Sequence, residues 1–125
     1  MIKHVGITIT NPADIKDFYQ DVLGLKLNKE FTLNKELNQQ IFGFYEDVPV
    51  SIVSNGEADI EIFVTHLPAR NNYSHLCIEV PDREALIKKA KAKKYPCIVI
   101  EREFEPLVFI QDRFGNSFEV KEIKQ

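Results

Sequence analysis

Four side chains of this 125-residue sequence combine a reactive type with a repeated position: His4, Glu61, His75 and Glu119. Each His opens a short run of alternating apolar residues, His4-Val-Gly-Ile-Thr-Ile and His75-Leu-Cys-Ile-Glu-Val. Each Glu lies inside another, Ala58-Asp-Ile-Glu61-Ile-Phe and Asn116-Ser-Phe-Glu119-Val-Lys. Imidazole nitrogens and carboxylate oxygens together suit a borderline or hard divalent ion such as Zn, Ni, Co, Mn or Fe(II). Two of each leave coordination positions for water or substrate, which a catalytic ion needs. Any one of the four taken alone reads better as a solvent-facing strand residue. Their recurrence as pairs is what points to a metal site.

The recurrence belongs to a repeat that runs through the chain. Sliding the sequence by 71 positions superposes His4 on His75, Ile7 on Ile78, Ile9 on Val80, Asn11 on Asp82 and Ile15 on Leu86. The last strands correspond at an offset of 58, Glu61 on Glu119, so the second copy has thirteen fewer residues between helix and last strand. A longer loop around Phe31 to Gln40 absorbs most of that difference in the first copy.

Each copy reads β-α-β-β-β. The opening runs alternate with the period of a strand that has one face on a core. Asn11 and Asp82 are good helix N-caps, and Pro12 suits the first helical position. Ile15, Phe18, Tyr19, Val22 and Leu23 keep helical spacing until Gly24. The second helix, roughly residues 83 to 94, turns Ala85, Leu86 and Ala90 inward and Lys88, Lys89, Lys91, Lys93 and Lys94 outward. In an acidic chain that lysine row is a solvated face rather than a nucleic-acid patch. Strands are expected at 41–45, 50–54 and 58–65 and again at 97–101, 107–111 and 117–122. Asn34 to Gln40 reads as a loop or an irregular strand start, and Asn55-Gly56 and Asp112-Arg-Phe-Gly115-Asn116 as the turns before the last strands.

Alternation also sorts the faces. Val5, Ile7 and Ile9 oppose His4, Gly6 and Thr8, and Leu76, Ile78 and Val80 oppose His75, Cys77 and Glu79. Ile60, Ile62 and Val64 oppose Glu61, while Phe118 and Val120 oppose Glu119. The apolar faces pack against the helices, so all four candidate ligands fall on the faces that line solvent or a cavity.

Composition excludes several classes. With 44% hydrophobic residues, nine of them Phe, the chain can bury a core as a single α+β domain over 1–125, its modules at about 1–66 and 73–123. A net charge of −3 offers no field for nucleic acid or an anionic membrane. No apolar run approaches the about eighteen residues of a membrane span, and no leader pattern opens the sequence. Cys77 and Cys97 lack CxxC spacing and read as ordinary thiols, so a reducing cytoplasm is the expected location.

Three segments, Ile2-Lys-His4-Val-Gly-Ile-Thr, Asp17-Phe-Tyr-Gln-Asp-Val-Leu-Gly24-Leu and Asp112-Arg-Phe-Gly115-Asn116-Ser-Phe-Glu119, resemble the vicinal oxygen chelate superfamily of glyoxalases, bleomycin-resistance proteins and extradiol dioxygenases. The FYxxxLG and DxxGNxxE patterns carry the likeness across almost the whole chain. The resemblance implies paired βαβββ modules forming a curved, partly open mixed sheet, assembled as a homodimer with sites between modules. It also implies one divalent metal per site. Three-ligand members such as dioxygenases and thiol transferases match His4, His75 and Glu119. Glyoxalase I has a fourth ligand, and Glu61 is similar to it. The implied activity is that of a lactoylglutathione lyase-like lyase or isomerase, which forms a metal-stabilised enediolate from a small vicinal-oxygen substrate. Glu119 is the expected proton carrier and Glu61 the alternative.

The chain departs from that pattern at the glutathione contacts. Thr8 and Thr65 stand where glyoxalase I often carries Arg and Asn. Arg70, with Asn71 and Asn72, reads as an exposed loop or an anion contact, and His66 has no role assigned. The competing reading is a non-catalytic, drug-sequestering protein of the same fold, its cleft lined by Phe63, Tyr73, Phe109 and Phe114.

Overall fold

The computed structural model describes residues 2–67 and 73–124. The chain divides into two compact units, residues 1–68 and 69–125. In the first, β1 (His4–Ile9) leads into a π-helix (Ile15–Gln20), then β2 (Lys26–Leu33), α1 (Lys35–Phe42), β3 (Val48–Ser54) and β4 (Asp59–Val64). The second runs β5 (Leu76–Val80), α2 (Arg83–Ala92), β6 (Cys97–Ile100), β7 (Leu107–Gln111) and β8 (Ser117–Glu122).

Each unit folds its strands into one open, mixed, four-stranded sheet, in the orders β1-β4-β3-β2 and β5-β8-β7-β6. The first strand of each copy pairs in parallel with the last, and every other pair is antiparallel. The two sheets share one topology, as the repeat requires.

Burial follows the alternation. In the first unit Ile9, Ile60 and Ile62 join Phe18, Tyr19, Val50 and Val53 in the core. In the second, Val80, Phe118 and Val120 join Leu86, Ala90 and Val108. Asp82 caps α2 as expected, its side chain accepting from the Ala85 amide at 3.0 Å.

Three expectations are corrected. The first helix is π rather than α: the Asp21 amide donates to the Lys16 carbonyl and the Leu23 amide to Phe18, each five residues back. Residues spaced by three and four suit either helical period, so the pattern does not separate them. The second strand is Lys26–Leu33, not 41–45. It is an edge strand, exposed along nearly its whole length, carrying Lys26, Lys29 and Glu30 and a register shift between Leu27 and Lys29. Edges are kept charged and irregular, which hides their alternation. Asn34 to Gln40 is not a loop but the cap and body of α1. The Asn34 side chain accepts from the Leu37 amide at 2.9 Å, and Gly43 ends the helix at φ 85°, a conformation that favours glycine.

Two metal-ligand pairs and an adjoining pocket

The sheet registers fix where the four candidate ligands stand. His4 opens β1, and Glu61 lies on β4, the neighbouring inner strand, opposite Gly6. His75 directly precedes β5, and Glu119 lies on the inner strand β8, opposite Cys77. Gly6 and Cys77 are themselves 71 positions apart, so the diagonal from His to Glu is the same in both sheets. Partners across a ladder share a face, which puts each His and Glu on the face away from its helix.

The diagonals bring the side chains together. His4 Nδ1 lies 3.5 Å from Glu61 Oε2, and His75 Nε2 lies 3.6 Å from Glu119 Oε1. Both distances are long for a hydrogen bond. They approach the separation of two ligands on one ion: donors each about 2.1 Å from a metal, at angles between octahedral and tetrahedral, stand roughly 3.0–3.4 Å apart. In each pair the carboxylate is the more enclosed partner, Glu61 at 23% and Glu119 at 18% exposure against 52% and 41% for the imidazoles. The carboxylate lies on an inner strand and the more exposed imidazole at the sheet edge, so each pair is accessible from solvent.

His75 has a support of its own. Its Nδ1 lies 2.9 Å from the Tyr73 carbonyl. A hydrogen bond there fixes the tautomer and leaves Nε2, the atom facing Glu119, free to ligate. The Phe109 ring packs edge-on against the imidazole, 5.5 Å between centroids. Lys121 Nζ lies 3.6 Å from the second carboxylate oxygen of Glu119.

The turns seat the inner strands. Asp112, 1% exposed, accepts from the amides of Phe114 and Asn116 at 2.8 and 3.0 Å and from the Asn116 side chain at 2.7 Å. The turn so held starts β8 and sets Glu119. In the first unit Ser54 has the equivalent place: its hydroxyl accepts from the Gly56 amide and donates to the Ala58 carbonyl.

Among the described residues no group of three or more His, Cys, Asp and Glu side chains could hold an ion. The four candidates therefore appear as two pairs, one in each unit. The donor types and spacing of each pair fit half of a divalent-metal site. Arg70, Asn71 and Asn72 lie outside the described residues.

A cavity of about 200 Å³ continues the face of the first pair. Its wall includes Gly6 and Thr8 of β1, Phe63 of β4 and Thr65 just after it, and Phe42 and Phe44 at the end of α1, with Glu46 among them. Phe63 is the next residue on the same face after Glu61, so pocket and ligand pair are adjacent. The rings of Phe42 and Phe63 meet edge to face at 5.5 Å. A Cβ on Gly6 would come within 3.2 Å of the Phe63 ring, so glycine there gives that ring its place.

Of the aromatics expected to line a cleft, Phe63 does so here. Tyr73 is 98% exposed, Phe109 stacks on His75, and Phe114 is half-buried in the Asp112 turn. Phe42, Phe44 and Glu46 are not among those aromatics or the candidate residues, because the sequence pattern suggests a loop or irregular strand start over 34–40 and a strand over 41–45 where the structure has α1 and the segment after it. The signal was present: an Asn cap, Leu37 and Ile41 four residues apart, and a closing Gly43.

Two mixed βαβββ sheets, each carrying a His–Glu pair on its helix-free face, define a class of paired-module protein. The chain belongs to the Glyoxalase/Bleomycin resistance protein/Dioxygenase superfamily, whose family model matches residues 1–120. Solved structures share the fold. A glyoxalase family protein of Bacillus cereus is 17% identical with a TM-score of 0.79, covering 97% of this chain and 92% of that one. The trypanothione-dependent glyoxalase I of Leishmania major is 17% identical at TM-score 0.75, covering 98% and 86%. The fosfomycin resistance protein FosX of Listeria monocytogenes is 11% identical at 0.73, covering 99% and 93%, and a variant of it was solved with Mn(II) and 1S,2S-dihydroxypropylphosphonic acid. No curated protein matched the sequence. No helix among the described residues is long and apolar enough to cross a membrane.

Proposed function

We propose that this chain is a metal-dependent lyase or isomerase of glyoxalase I type, acting on a small substrate with two neighbouring oxygens. The observation that carries the reading is the duplication of one His–Glu diagonal at equivalent register positions in two sheets. His4, Glu61, His75 and Glu119 together would hold one divalent ion, Zn, Ni, Co, Mn or Fe(II). They would do so in a single domain spanning 1–125 or across a homodimer in the cytoplasm.

The ion would supply Lewis-acid polarisation of the two substrate oxygens. The protein's own part is to orient and to move a proton. His75, fixed through Tyr73, presents one nitrogen in a set direction. Glu119 is the proposed proton carrier, because Lys121 gives its second oxygen a partner when the first is engaged elsewhere. Glu61, beside Phe63 and the pocket, is the alternative carrier and otherwise a fourth ligand. Thr8 and Thr65, at the positions of the usual glutathione contacts, argue for a different tail on the substrate.

Metal content per chain, by plasma mass spectrometry on untagged protein prepared without chelator, tests the reading. Near one equivalent per chain, lost in His4→Ala and reduced in Glu61→Gln, supports a four-ligand site. Full occupancy and activity in Glu61→Gln would move the assignment to a three-ligand enzyme, a dioxygenase or thiol transferase. A second reading, metal-free sequestration of a small molecule, draws on the aromatic pocket of the first unit. Absence of metal after adding back Zn, Ni, Mn and Fe(II) would favour it.

A further inference from the structure

The pocket beside the His4–Glu61 pair has an electrostatic sign. Its described wall is apolar, with Phe42, Phe44 and Phe63 as its largest groups, and Glu46 is the only charged residue among the lining residues described. That carboxylate is held in place. The buried Asn38 side chain donates to the Glu46 carbonyl at 2.8 Å, anchoring the segment after α1. The Thr65 hydroxyl donates to Glu46 Oε1 at 3.3 Å, and His66 Nδ1 stands 3.7 Å from Oε2 on the exposed rim. A carboxylate beside an aromatic slot attracts a cation or a hydrogen-bond donor and repels an anion. The wall of low-dielectric side chains strengthens both effects.

We infer that this pocket takes the non-reacting end of the substrate, that this end is one aromatic ring or branched alkyl group tipped by an amine or hydroxyl donor, and that Glu46 is the residue that selects it. The inference rests on the proposed function in one respect, that a reacting end lies at the neighbouring His–Glu pair. A volume of about 200 Å³ is below the roughly 300–1,000 Å³ of sites for drug-sized ligands, so it admits one ring rather than a large conjugate. The same sign disfavours a phosphonate or the carboxylates of a glutathione tail. Thr65, where glyoxalase I often carries Asn, is here occupied in orienting Glu46.

The test is a nuclear magnetic resonance titration of the full ¹⁵N-labelled chain at pH 8, in chelator, with phenethylamine, 2-phenylethanol and phenylacetate. These probes share one ring and differ in the charge of the tip. The expected result is that phenethylamine shifts the amides of Gly6, Thr8, Phe63 and Thr65 and binds about fivefold or more tightly than phenylacetate, the contrast that one partly exposed charge contact supplies. Glu46→Gln keeps the shape and the Thr65 contact and should abolish that preference. Glu46→Lys should reverse it. The ¹⁵N spectrum of each variant reports its folding, and Glu46→Gln alone decides the matter should the lysine variant unfold. Equal or tighter binding of phenylacetate by the wild type, a preference that survives in Glu46→Gln, or no binding by any probe overturns the inference. Because the titration is run without metal, its outcome is separate from the metal analysis. A chain that holds no ion yet ranks the probes as expected keeps Glu46 as selector and loses the lyase reading. A chain that holds the ion and ranks them otherwise does the reverse.

Discussion

The two modules carry the same His–Glu diagonal in different surroundings. Beside Glu61, the first sheet places Phe63 and an aromatic pocket roofed by α1. Beside Glu119, the second places Lys121, which reaches the carboxylate itself. The thirteen extra residues of the first copy, with its longer edge strand β2 and α1, account for the contrast: the second copy has no helix in that place among its described residues. Duplication preserved the His–Glu diagonal and left its surroundings to diverge, an aromatic pocket beside one pair and a lysine beside the other. Sites built on strands are held more rigidly than their connecting segments, which is where specificity varies.

The largest effect expected from this comparison is also its most direct test. If the pairs are two halves of one site, His4→Ala and His75→Ala should each weaken metal binding by more than about 100-fold, beyond what the loss of a merely supporting residue costs. Competition with a chromogenic chelator measures both. Loss in only one variant would mean that the modules do not share an ion, and the symmetry of the registers would then be a relic of duplication.

The turns that seat the two glutamates differ in a measurable way. Asp112 satisfies three donors from a fully enclosed position, whereas its counterpart Ser54 accepts one amide and gives one hydroxyl bond. Asp112→Ala strands buried donors and should cost roughly 2–3 kcal/mol, and Ser54→Ala about 1 kcal/mol. Urea denaturation of the two variants gives the ranking. The reverse order would show that the first module's turn, not the second's, carries the strand.

The same asymmetry explains what the amino-acid sequence disclosed. Strands with one face on a core show their period, so the histidines and glutamates of β1, β4, β8 and the run that becomes β5 could be assigned to a face from alternation alone. The edge strand β2 is exposed and charged, and α1 turns Ile41 and Phe42 more than half outward, burying only Asn38. Neither has the apolar stripe by which elements are recognised, and with α1 went Phe42, Phe44 and Glu46, two of the pocket's rings and its charge. The His–Glu pairs were legible because they repeat. The pocket was not, because it has no second copy to be compared with.

An intermediate effect follows for α1. Asn34→Ala removes the cap that accepts from Leu37 and should destabilise the helix by about 1 kcal/mol. Hydrogen exchange should then quicken through residues 35–43 and leave α2 unchanged. Equal quickening in both units would mean that α1 is not an independent addition to the first module.

The smallest expected effect concerns the residues that face the two glutamates across the ladder, Gly6 opposite Glu61 and Cys77 opposite Glu119. Partial burial pushes the Cys77 thiol above its ordinary range, and the Glu119 charge pushes it further in the same direction, with Lys121 opposing. A raised thiol stays protonated and unreactive until the pH is well above that of a free cysteine, because the thiolate is the nucleophile. In protein kept in chelator, Glu119→Gln removes the larger of the two raising charges, leaving burial, Glu79 and the opposing lysine, so alkylation of Cys77 by iodoacetamide should begin at lower pH. Glu61→Gln, in the other sheet, should leave the profile where it was, and Cys97, raised by burial alone apart from a lowering influence of Lys91, should not respond to either change. Mass spectrometry of the two cysteine peptides across a pH series reads all three. A Cys77 profile indifferent to Glu119 would mean that the carboxylate does not face the thiol across the β5–β8 ladder, and the diagonal that pairs Glu119 with His75 would fall with it.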